Sequence, residues 1–102
     1  MKLFISQPMR GKRAEEIIKE REQIIDRCKE MYGDDLEVIE SYFEQEPESK
    51  NPPLYGLGKN LILLADADIA YFAKGWENAR GCKVENTCAI EYGIQVIEDY
   101  RK

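Results

Sequence analysis

Two periods alternate along the chain. Lys2 to Ser6 is a short β-rich run that SQPMRGK interrupts with a proline and a glycine before a long helical pattern starts near Arg13. In that pattern Ala14, Ile17, Ile18, Ile24, Ile25, Cys28, Met31 and Tyr32 fall on one face, and Gly33 is placed to end the helix. Leu36 to Tyr42 alternates as a second strand, and EQEPESKNPP after it has the composition of a loop. Asn51 as N-cap and Pro52 as first helical residue predict a second helix, carried by Leu54, Leu57, Leu61 and Leu64. Ile69 to Phe72 reads as strand three, Gly81 to Tyr92 as helix three and Ile94 to Ile97 as strand four. An order β-α-β-α-β-α-β calls for a flavodoxin-like, doubly wound α/β domain. The expectation is one domain over residues 1–102, with a four-stranded parallel sheet in the order 2-1-3-4, helices on both faces and a ligand crevice at the carboxyl ends of the strands.

Composition narrows the chemistry. With 43% hydrophobic and 34% charged residues in 102, the chain can build a core, so disorder is not expected. A net charge of -5 argues against a nucleic-acid polymer as partner, although a nucleotide monomer needs only a few local cations. The apolar run in MKLFISQPMRG is too short for a signal peptide and no stretch reaches membrane-spanning length, so cytoplasmic residence without a membrane is the expectation. Three cysteines without a CxxC pair and no histidine remove histidine triads and most zinc sites.

Several residues remain as candidate chemistry. Gly81, Glu85, Ala89 and Gly93 recur every fourth residue, placing one carboxylate on a stripe of small residues that should lie flush against a neighbour. First-turn carboxylates on helices are usually solvated. Glu85 is singled out by that stripe and by the preceding GWENARG loop, with Trp76, Asn78 and Arg80. Cys82 competes as a nucleophile at a helix start, but with no histidine base it reads as a packing residue. The exit loop of strand one holds Ser6, Arg10, Gly11, Lys12 and Arg13 ahead of a helix, where a hydroxyl, backbone N–H groups and cations can converge on an anion, or simply form a solvated turn. Asp66 and Asp68 precede strand three, where a capping or strand-entry role is the ordinary reading.

GCKVENTCAIEYG resembles the helix pattern of nucleoside 2-deoxyribosyltransferases, in which a glycine is followed four residues later by the nucleophilic glutamate. FISQPMRG is similar to the related deoxynucleoside-monophosphate N-hydrolases, and FISQPMRGK with GWENARGCKVE resembles a short phage and bacterial branch of that superfamily. The resemblance implies Glu85 as nucleophile and Asp68 as the carboxylate beside the base. It implies Ser6, Arg10, Gly11 and Lys12 at a 5′-phosphate, Trp76 or Tyr71 stacked on the nucleobase, Asn78, Arg80 and Gly81 as further substrate-binding residues, and a mechanism that needs no metal or organic cofactor. The partners it implies are a small nucleoside or nucleotide and, because related sites borrow residues from a neighbour, a second copy in a homodimer or larger assembly. The chain departs from the family in having Ala79 where an aspartate stands six residues before the nucleophile, and in ending after strand four where members continue into a fifth. A module of the same fold that binds nucleotides without turning them over is the alternative.

Overall fold

The computed structural model describes residues 1–43 and 48–101. The elements are β1 (Lys2–Ser6), α1 (Ala14–Tyr32), β2 (Glu37–Val38), α2 (Pro52–Leu64), β3 (Ile69–Phe72), one 3₁₀ turn at Trp76–Asn78, α3 (Arg80–Glu91) and β4 (Gln95–Glu98). The sheet is parallel throughout in the order β2-β1-β3-β4, as the alternation of periods requires. β1 and β3 are the central pair, in register Leu3 with Ile69 through Ser6 with Phe72, and both faces of each are covered, which is why neither strand shows polar alternation.

The pleat divides the core in two. Leu3, Ile5, Ile69, Tyr71 and Ala73 pack with Ile24 and Cys28 of α1 on one face. Phe4, Ala70 and Phe72 pack with Leu64 of α2 and Cys82 and Ala89 of α3 on the other. A strand-edge residue therefore faces α1 or α3 according to its parity. Among the described residues no helix is long and apolar enough to cross a membrane.

Several expected details differ. On α1 the buried stripe is Ile17, Arg21, Ile24 and Cys28, while Ala14, Ile18 and Met31 face water. An arginine sits in the apolar stripe because its guanidinium has partners: Nη2 donates to the Ile39 carbonyl (2.8 Å) and Nη1 to Ser41 Oγ (3.3 Å). The same contacts shorten strand two from the expected 36–42 to Glu37–Val38. After Ile39 N–H bonds the Leu3 carbonyl, the Ser41 hydroxyl, not a backbone N–H, bonds Ile5 O (3.1 Å). The loop expected over residues 44–53 lies partly outside the described residues. From Glu48 it runs into Asn51, whose side chain accepts from Leu54 N–H (3.2 Å) with Pro52 next, the expected cap. Of the four leucines expected to carry α2 only Leu64 is fully buried; Leu57 and Leu61 are half-buried and Leu54 is exposed. Helix three begins one residue early, at Arg80, and strand four one residue late, at Gln95.

Candidate functional site

Ser6 closes β1 on the α3 face of the sheet and is buried. Across from it stands Glu85, the sixth residue of α3, only 5% exposed. It lies in the second turn and faces inward, unlike the solvated carboxylates usual in a helix's first turn. The Ser6 hydroxyl donates to Glu85 Oε1 at 2.6 Å, a short contact of the kind an ionised acceptor makes. Burial pushes the Glu85 carboxyl up to about 7; the Ser6 hydroxyl and the nearby Asn60 amide of α2 pull it the other way. A carboxylate poised near neutrality at the carboxyl end of a central parallel strand has the setting of a group held for chemistry.

The stripe that drew attention to Glu85 is only partly a contact surface. Ala89 is buried, but a Cβ added to Gly81 would meet nothing within 4 Å, and Gly93 is exposed. Gly93 serves the chain reversal into β4 instead, with φ 77°, a conformation that disfavours other residues. The buried face of α3 is Cys82, Glu85, Asn86 and Ala89. Cys82 packs in the apolar core, and burial, reinforced by the Glu85 charge, pushes its thiol up to about 11 against the opposing Ser6 hydroxyl and Lys12 ammonium. It is a packing thiol, as expected.

The exit loop of β1 is brought to this end of the sheet. Lys12 N–H bonds Met9 O (3.1 Å) in a turn that Gly11 makes possible with φ 80°. Lys12 Nζ lies 3.5 Å from Glu20 Oε1 of α1, and its charge reaches the buried Cys82 thiol. Gln7 pins the loop to α1, its amide donating to Ile17 O and Glu20 Oε1, both at 3.0 Å. Arg10 is exposed and makes no ion pair among the described residues, while Arg13 is engaged with Glu15 and Glu16.

The other expected residues are not gathered around Glu85. Asp68 is exposed at the amino edge of the sheet, where Oδ2 accepts from Lys2 N–H (2.7 Å) and its own N–H bonds Lys2 O (2.9 Å). Four residues of strand separate that level from Ser6, about 13 Å. Asp68 is thus a strand-entry carboxylate, and the structure keeps it away from Glu85. Tyr71 faces α1, on the opposite side of the sheet. The Trp76 ring is enclosed by Phe72 (centroids 5.7 Å apart) and Tyr100 (5.8 Å, edge-on), a core arrangement and not an open stacking platform. Asn78 and Arg80 are exposed, and Gly81 is half-buried.

Sequence reasoning missed the groups that support the site. Asn60 supplies an amide beside Glu85, and its own Oδ1 is buried without a partner among the described residues. Asn86 ties α3 to β4 through Glu98 Oε2 (2.9 Å). On the α1 face, beside a cavity of about 300 Å³, Asp99 is clasped by Arg101 (2.7 Å), with Arg27 3.9 Å away and the Tyr71 hydroxyl at 3.3 Å. The only hint of these in the sequence was parity: Tyr71 and Asp99 fall on the same face of neighbouring strands, whereas Asn60 left no local trace.

No family model matches the chain, and neither a curated protein nor a solved structure was found similar to it.

Proposed function

We propose that the protein cleaves the N-glycosidic bond of a 2-deoxyribonucleoside or its monophosphate, passing the sugar to water or to a second base. The observation that carries this reading is the buried Ser6–Glu85 pair at the carboxyl end of β1. It is supported by the resemblance of GCKVENTCAIEYG and FISQPMRG to 2-deoxyribosyltransferases and deoxynucleoside-monophosphate N-hydrolases. Ser6 holds one carboxylate oxygen of Glu85 and the other attacks the anomeric carbon. The C1′–N bond breaks with its electron pair going to the base, and the resulting glycosyl ester is resolved by water or an acceptor base with retention. The missing 2-hydroxyl favours the oxocarbenium-like transition state. Asp68 plays no part, and the departing base takes its proton from water. Lys12 and Arg10, with the N–H groups around Gly11, receive the 5′-phosphate when there is one.

The distance of Asp68 from Glu85 favours a second reading, a module that binds nucleotides without turnover. Incubation with deoxynucleosides and their monophosphates, followed by chromatography of free base, separates the two. Under the first reading base is released, the rate rises with pH through about 7 as Glu85 ionises, and Glu85→Gln lowers it at least about a thousandfold. A ligand-induced thermal shift without base release selects the module, and release undiminished in Glu85→Gln removes Glu85 from the chemistry.

A further inference from the structure

Glu20, Gln23, Ile24 and Arg27 stand at i, i+3, i+4 and i+7 and so share one stripe of α1. Opposite them lie Ala73 and Lys74, which follow β3, and Asp99 and Arg101, which follow β4, and the space between is the cavity of about 300 Å³. It opens at the carboxyl edge of the sheet, where open α/β folds take ligands, on the face away from Glu85. Its volume is at the lower end for ligand pockets, which suits a small molecule.

The lining is cationic within an acidic protein. It carries Arg27, Lys74 and Arg101 against Glu20 and Asp99, in a chain of net charge -5. Both carboxylates are already answered. Glu20 Oε1 accepts from the Gln7 amide and lies 3.5 Å from Lys12 Nζ. Asp99 is clasped by Arg101 and accepts from the Tyr71 hydroxyl. Arg27 and Lys74 are left over. Lys74 is exposed and makes no ion pair among the described residues, and Arg27 comes no closer to Asp99 than 3.9 Å. Arg27 Nη1 donates to the buried Tyr71 hydroxyl at 2.6 Å, which holds the guanidinium in place before a ligand arrives. Its Nε and Nη2 make no hydrogen bond among the described residues, and that edge is the fork that matches two oxygens of a phosphate. A dianion with three acceptor oxygens can also engage cations from the other two walls, which a monocarboxylate cannot do at once.

We propose that the cavity between α1 and the ends of β3 and β4 binds the phosphate group of a small monoester, two oxygens on the Arg27 fork and the remainder facing Lys74 and Arg101. The site is separate from the loop around Gly11, and a ligand in it does not touch the Ser6–Glu85 pair. The inference stands independently of the chemistry assigned to Glu85.

NMR titration of the full chain tests it, at about pH 7.5, where a phosphate monoester is mostly dianionic, and with ionic strength held constant by chloride. The probes are inorganic phosphate, glycerol 3-phosphate and acetate. Both phosphates should move the Arg27 Nε–H and the Lys74 and Arg101 backbone amides to saturation, with a dissociation constant on the order of 1 mM and the ester at least as tight as the free ion. Acetate should bind there at least about tenfold more weakly. Lys74→Gln removes an exposed charge without an internal partner, and Arg27→Lys keeps the charge but loses the fork. Each should weaken both phosphates at least about fivefold, with melting curves confirming that the variants are folded. No saturable shift at these positions up to about 20 mM, shifts confined to Met9–Lys12, acetate as tight as phosphate, or affinity unchanged in both variants would each overturn the proposal.

Discussion

Glu85 and Asp99 stand near the same edge of one sheet, on opposite faces, and are almost equally hidden, at 5% and 8% exposure. Their acidities diverge. Glu85 has a hydroxyl and an amide for company, and burial pushes it up to about 7. Asp99 is held down to about 2, chiefly by hydrogen bonds from the Arg101 guanidinium, with further help from the Arg101 backbone N–H and the Tyr71 hydroxyl. Burial alone therefore does not decide what a carboxylate becomes in this fold. A cation in contact turns it into a permanent structural charge, and neutral donors leave it close to titration at physiological pH. The α3 face has a group suited to chemistry, and the α1 face has a clasp for the end of β4.

The largest expected effect follows from the raised acid. Between pH 4.5 and about 7 the folded protein keeps a proton on Glu85 that the unfolded chain has already released. The stability tied to that proton is therefore fully present below 4.5 and is lost as pH rises to about 7, in total about 3 kcal/mol. A glutamine in place of Glu85 cannot titrate. Melting of Glu85→Gln relative to wild type should gain several degrees between pH 5 and pH 8. A difference that stays constant with pH would mean that Glu85 is not desolvated in the folded protein.

Asp99→Asn should show the opposite dependence and a smaller size. The contribution of the depressed carboxyl is present above about pH 4 and is lost as pH falls through about 2. At pH 7 the substitution removes charge-assisted contacts and should cost about 1 to 3 kcal/mol in urea unfolding. At pH 3 the cost should be visibly reduced. Equal losses at both pH values would assign the effect to packing and not to the clasp.

The contrast also marks what the sequence made legible. The buried runs of β1 and β3, the Asn51–Pro52 start of α2 and the parallel order follow from local pattern, because each depends on neighbours within a turn or a strand. Glu85 was legible as an anomaly on its stripe, although the stripe misdescribed its surroundings. Its partner Ser6 is 79 positions away, and their contact requires the crossing from β3 through α3 to place that helix over the end of β1. The partnered Arg21 and the clasp on Asp99 are likewise products of tertiary register, invisible to periodicity; a charged residue in an apolar stripe is legible only once its acceptors are known. Asp68 shows the reverse case. Its place before strand three already put it at the amino edge of the sheet, and that simple reading of strand direction was the sound one.

Asn60 offers the smallest and most selective test of the comparison, because it touches acidity and stability in different directions. Its amide is among the neutral groups that pull the Glu85 carboxyl down, while its Oδ1 is buried with no partner among the described residues. Asn60→Leu removes both. Losing the amide leaves desolvation less opposed, so Glu85 should titrate at higher pH than in the wild-type protein, and any pH profile of turnover should move with it. Losing the orphan acceptor removes an unsatisfied polar atom from the interior, so below pH 4.5, where Glu85 is protonated in both states, the variant should be as stable as wild type or up to about 1 kcal/mol more so. Carboxyl NMR titration read beside urea unfolding at pH 4 checks the two halves separately. A midpoint that stays in place, with stability lost at pH 4, would make Asn60 a packing residue and leave Ser6 as the main group that keeps Glu85 near neutrality.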